Sequence, residues 1–143
     1  MNVAAILKGK GRAVATAPPD TQLQAIAERL SSRKIGAIIV VGAKGEVAGI
    51  ISERDIIRAV ASKGASCLDE PVSRYMTRQV VACSEGDVLD QIMATMTAGR
   101  FRHMPVMADD ALVGIVSIGD VVKHHIAEVE MEASAMRTYL VAG

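Results

Sequence analysis

Two rhythms of aliphatic residues alternate along this chain, and the alternation occurs twice. Leu23, Ile26, Ala27 and Leu30 fall three and four positions apart, which predicts the buried face of a helix running to about Arg33. Asp20 or Thr21, just after Pro18-Pro19, is the expected N-cap. Ala37 to Val41 is an unbroken aliphatic run, the pattern of a strand covered on both faces. Gly42-Ala43-Lys44-Gly45 predicts a hairpin turn into a second strand, Glu46 to Ile51, and Ser52 then opens a helix to about Ser62. With a short strand at Ala13 to Thr16, the unit reads β-α-β-β-α.

The same order follows in the second half. Gln79 to Ala82 predicts a strand, Ser84-Glu85-Gly86-Asp87 a turn and cap, and Val88, Leu89, Ile92, Met93 and Met96 a helix face ended by Gly99. Phe101 to Met107 corresponds to Ile35 to Val41, and Leu112 to Val116 is the second hairpin strand. Each unit is preceded by a matching short segment: Val3, Ile6 and Leu7 before the first, Val72, Tyr75 and Met76 before the second. One such unit leaves a sheet face uncovered, and two can cover each other. The expectation is one pseudo-twofold α/β (α+β) body, with repeats over 1–70 and 71–127 and a helical extension over 128–143. In the last helix Val122, Ile126, Val129, Ala133, Met136 and Leu140 are spaced 4-3-4-3-4, a heptad seam. It suits packing either on the chain's own body or on a second subunit.

Composition narrows the function. Half the residues are hydrophobic, and Lys+Arg and Asp+Glu balance at 16 each, so the broad basic footprint of a nucleic-acid binder is missing. Tyr75, Phe101 and Tyr139 are the only aromatic residues, too few for stacking single-stranded bases. No run approaches the roughly 20 apolar residues of a membrane span, and nothing resembles a signal peptide, so a cytoplasmic location is expected. Cys67 and Cys83 lack metal-type spacing and are expected to be free and buried, and His124-His125 to face solvent. Nucleophile–base pairs, a Walker loop and metal clusters are all lacking in the sequence, so the expectation is not an enzyme.

The sharpest repeat is Gly49-Ile-Ile-Ser-Glu-Arg-Asp55, which recurs 65 residues on (114 − 49) as Gly114-Ile-Val-Ser-Ile-Gly-Asp120. A Ser-x-x-Asp corner at a helix start is a capping box, and capping alone would explain it. The same groups also suit a nucleotide: helix N–H groups and a hydroxyl for phosphate, a carboxylate for the ribose hydroxyls.

With Ile35-Gly-Ala-Ile38 and Arg100-Phe-Arg-His-Met-Pro-Val106, these motifs make residues 1–127 resemble a CBS-domain pair (Bateman module), most like the small bacterial pairs with no attached enzyme or transporter. The resemblance implies regulatory binding of AMP foremost, or of ADP, ATP, NAD or S-adenosylmethionine, in sites built across the two repeats. It implies Ser52, Arg54, Asp55, Val81, Ala82, Cys83, Arg102, His103, Met104 and Pro105 at one site. The other would take Ser117, Gly119 and Asp120 with Ala15, Thr16, Ala17, Gly36, Ala37 and Ile38. It further implies a homodimer that signals to a protein partner by conformational change. Ile39 stands where many members carry the proline that Pro105 supplies in the second copy. Arg54, Arg102 and His103 gather at the first site, and Gly119 and Gly36-Ala37 replace them at the second, so tighter phosphate binding is expected at the first. A structural adaptor with vestigial pockets is the competing expectation.

Overall fold

The computed structural model describes residues 1–142. In order it contains α1 (Val3–Lys10), β1 (Thr16–Ala17), α2 (Leu23–Arg33), β2 (Ala37–Val41), β3 (Val47–Ser52), α3 (Glu53–Lys63), α4 (Leu89–Gly99), β4 (His103–Ala108), β5 (Ala111–Ser117) and α5 (Ile118–Ala142). Single 3₁₀ turns cover Ala65–Asp69 and Val72–Arg74 between α3 and α4. β1 runs parallel to β2, and β2 pairs antiparallel with β3. β4 and β5 form the matching hairpin. Both hairpins shift register at equivalent places, between Val40 and Val41 and between Val106 and Met107.

The expected strand at Gln79 to Ala82 does not form. In the first repeat the Ile39 N–H donates to the Ala15 carbonyl at 3.0 Å and holds the chain alongside β2. Its counterpart is Pro105, which has no N–H to give. Only a single parallel bridge survives there, Cys83 with Val106. The expected strand at Ala13 to Thr16 likewise shrinks to Thr16–Ala17. The N-cap of α2 is Gln22, without a side-chain cap, rather than Asp20 or Thr21. A partner from the chain replaces it: the Leu23 N–H donates to the Glu70 carbonyl at 2.9 Å. Val88, expected on the buried face of α4, is 46% exposed and stands as that helix's N-cap.

Two hydrophobic cores form, and the short segments preceding the repeats are exchanged between them. Val3, Ile6 and Leu7 of α1 pack with Leu89, Met104 and Val116 in the second core. Val72 and Met76 pack with Leu23, Ile38 and Ile51 in the first. The exchange explains the glycine of the repeated motif. A Cβ on Gly49 would stand 2.6 Å from Met76 Sδ and 2.8 Å from the Thr77 carbonyl oxygen, and one on Gly114 would stand 2.7 Å from Leu7 Cδ2. Each motif glycine thus leaves room for the segment that reaches in from the other side.

Candidate functional site

Each corner begins where a hairpin strand turns into a helix. In the first, the Asp55 N–H donates to Ser52 Oγ at 3.3 Å, and Asp55 Oδ2 accepts from the Ser52 N–H at 2.9 Å and the Ser52 hydroxyl at 3.0 Å. The capping box is complete. Among the described residues Asp55 Oδ1 has Arg58 as its ion-pair partner, at 3.9 Å.

This corner opens on a cavity of about 250 Å³ walled by both repeats. Ser52, Arg54, Asp55, Val81, Arg102 and His103 of the expected first site line it, as does Gly36, which was expected at the second. Val81 is half exposed and forms part of its wall. Four other expected members lie elsewhere. Cys83, Met104 and Pro105 are buried, the first two in the second core, and Ala82 is exposed away from the cavity. Burial, then the charge of Asp87, pushes the Cys83 thiol up to about 11, so it acts as a packing group.

His103 stands between the two corners. It pairs across the hairpin with Ser117, and its ring lies so close to Gly36 that a Cβ there would be 2.8 Å away. Burial, seconded by Lys10, pushes its pKa below the ordinary histidine value against the opposing pull of Asp120 and Glu53. At neutral pH it is therefore a neutral hydrogen-bonding group and adds no cation to the cavity. The cations there are Arg54 and Arg102, joined by Arg58 and Arg100, which the sequence comparison did not single out. Arg58 lies one helical turn beyond Arg54 on α3, a spacing visible in the sequence.

The second corner has a different environment. Asp120 Oδ2 accepts from the Ser117 N–H at 2.9 Å, and the Asp120 N–H donates to Ser117 Oγ at 3.1 Å. Lys10, from the exchanged α1, also donates to Asp120 Oδ2 at 2.7 Å and to the Ile115 carbonyl at 3.1 Å. Burial alone would raise the Asp120 carboxyl, but the Lys10 ammonium and the Ser117 donors outweigh it and hold the pKa below the usual carboxylate range. Counting from Val72 as from Val3, the residue equivalent to Lys10 is Gln79, a neutral side chain lining the first cavity. The remaining residues expected at the second site are mostly packed away. Ala17 and Ile38 are buried in the first core, Ala15 packs on it, Ala37 is buried, and the Thr16 carbonyl accepts from Arg29 at 2.9 Å. Gly119 is exposed.

Among the described residues no helix is long and apolar enough to cross a membrane. The CBS domain family model matches residues 11–62 and again 72–126. A CBS-domain-containing protein of Agrobacterium tumefaciens has a crystal structure that is 48% identical, with a TM-score of 0.83 over 85% of this chain and 91% of that one. The CBS domain pair of protein MJ0100, solved with 5′-methylthioadenosine and S-adenosyl-L-methionine, is 25% identical with a TM-score of 0.79 over 90% of this chain and 98% of that one. A mitochondrial CBS domain-containing protein of Arabidopsis thaliana is 35% identical over 87% of this chain, which spans 62% of that relative's length. The chain belongs to the CBS-domain family and carries two such domains in tandem.

Proposed function

We propose that the chain is a regulatory module that binds an adenine nucleotide in the cavity at the Ser52–Asp55 corner. One observation carries this reading: an open carboxylate corner and unpaired guanidinium groups face the same cavity. Asp55 keeps Oδ1 available for ribose hydroxyls. Arg54 and Arg102 line the same space and make no ion pair among the described residues. The relative solved with S-adenosylmethionine holds an adenosine that bears a sulfonium. Here guanidinium groups would repel that cation and attract phosphate, so AMP, ADP, ATP or NAD fits better.

A melting screen with AMP, ATP, NAD and S-adenosylmethionine tests the reading. A ligand at 100 times its dissociation constant adds about 2.7 kcal/mol of stability. The nucleotides should shift the transition and S-adenosylmethionine should shift it least. If none of them shifts it, the adaptor reading with vestigial pockets takes over.

The signal would arise by linkage. A ligand that touches both repeats favours one relative placement of them, and a partner reads the difference. We further propose that α5 pairs with its copy in a homodimer. Its seam is not packed on the chain's own body: Ile126 is 52% exposed, Met136 60% and Leu140 69%. In a parallel pair Glu132 of each copy would face Arg137 of the other at the flanking heptad positions. Light scattering should find a dimer, and Ile126→Glu combined with Met136→Glu should give a monomer that still melts as a folded protein. A wild-type monomer at tens of micromolar, or a dimer that survives both substitutions, would overturn the pairing.

A further inference from the structure

The charges of both corners act on His103. It opens β4 in the second repeat, and one edge of its ring crosses the cleft to the first: a Cβ on Gly36 would stand 2.8 Å from both Cε1 and Nε2. The ring lines the cavity together with Arg54 and Arg102. Around it, α1 brings Lys10, α3 brings Glu53, α5 brings Asp120, and Arg102 precedes it in the chain. The α2–β2 link meets it with Gly36 and β5 with Ser117, neither of them an acid or a base at ordinary pH. Two cations thus stand against two carboxylates, and burial, the largest influence, keeps the free ring neutral at neutral pH. Glu53 Oε1 lies 3.8 Å from the same Cβ position on Gly36, so a carboxylate stands near the edge that would gain a charge. A phosphate monoester seated between Arg54 and Arg102 adds a charge of about −1.5 to −2 to this balanced set. A nearby anion favours the protonated form of an imidazole.

We infer that nucleotide binding is coupled to proton uptake: as the phosphate enters the cavity, His103 takes a proton from solvent and becomes a third cation beside Arg54 and Arg102. This rests on the placement of a nucleotide in the Ser52–Asp55 cavity and adds the control of that site by pH. The bound ring holds its proton to higher pH than the free ring. The gain in affinity is therefore complete below the free ring's midpoint and is lost as pH rises through the bound ring's midpoint. Acidification tightens binding, and a histidine titrates where modest changes of pH are felt. Lys10 would oppose the new charge, but it is already tied to Asp120 at 2.7 Å, and Glu53 stands on the favourable side.

Calorimetric titration with AMP and with ATP, in pairs of buffers that differ in ionisation enthalpy, counts the protons taken up by the full chain and by His103→Gln. The ligand's own phosphate also titrates near pH 6, and the variant subtracts that part because it meets the same ligand. Between about pH 7.5 and 5.5, either side of the ordinary histidine value, wild-type affinity should rise about 3-fold or more beyond that of the variant. The excess uptake should reach roughly a third of a proton or more. Magnetic resonance of the three histidines reads the same ring without altering it. The His103 signal, assigned by exclusion with His124→Gln and His125→Gln, should titrate at higher pH in the nucleotide complex than in the free chain. That reading decides the matter if His103→Gln does not fold. Equal proton counts and pH profiles in wild type and a folded variant would overturn the inference and leave the nucleotide site standing. So would a His103 signal whose midpoint does not rise with nucleotide. If neither nucleotide binds the wild-type chain at any pH, both fail.

Discussion

Replacing Asp55 by alanine is expected to weaken adenine-nucleotide binding about 10- to 100-fold and to lower the stability of the free protein by about 1 kcal/mol. The two effects have separate origins. Oδ2 completes the cap of α3 by accepting from the Ser52 N–H and hydroxyl, and losing such a cap costs about 0.5–2 kcal/mol. Oδ1 is the acceptor left for a ribose hydroxyl, and hydrogen bonds to a charged group contribute about 1.5–3 kcal/mol, or roughly one to two powers of ten in affinity. Asp55→Asn should separate them, keeping the side chain's shape while losing its charge. The control is Asp120→Ala, which should cost similar stability and leave nucleotide affinity in place. Calorimetry and thermal melting on the three variants would check this. A loss of stability in Asp55→Ala with affinity unchanged would reduce the corner to plain capping.

The second large effect is expected from Lys10→Met. In the wild-type chain the Lys10 ammonium already holds the carboxylate that would meet a ribose, and it also bonds the Ile115 carbonyl beside it. A nucleotide entering there must first displace it. Both partners are partly exposed, at 34% and 25%, so solvent screens the pair and its net contribution to folding is about 0–1 kcal/mol. Removing it should therefore change the melting temperature little. It should also free Asp120 and raise the number of nucleotides bound from one per chain to two, the added one being weaker because Gly119 stands in the second corner where Arg54 stands in the first. Stoichiometry from calorimetry or equilibrium dialysis reads the result directly. A variant that still binds one per chain would show that Lys10 is not what closes the second corner.

The duplication and the Ser-x-x-Asp corners could be read from the sequence because both are local patterns: a glycine, two aliphatics and a cap within seven residues. So could the difference in charge between the sites, through Arg54 and Arg102. Lys10 could not. It meets Asp120 only because α1 crosses to the other core, and no spacing in the sequence announces a contact between residues 110 positions apart. The role of the motif glycines stayed hidden for the same reason, since Leu7 and Met76 reach them by that exchange. Gln79 to Ala82 looked like a strand from its own residues, and the reason it is not one lies in its neighbour, where Pro105 lacks the N–H that Ile39 supplies. By residue type His103 joins Arg54 and Arg102 as a candidate to meet phosphate, and burial against Gly36 and the second hairpin lowers its pKa. Sequence position could align Arg100 with Lys34, but only the fold brings it opposite Arg58.

We propose that one corner of this CBS pair is an open nucleotide site and that Lys10 holds the other shut. Titration of the unmodified chain with ATP by calorimetry tests it most directly. One nucleotide should bind per chain, with that binding weakened at least 10-fold by Asp55→Ala and unchanged by Asp120→Ala. Two equivalent sites per chain, or a single site lost with Asp120 and kept without Asp55, would contradict it.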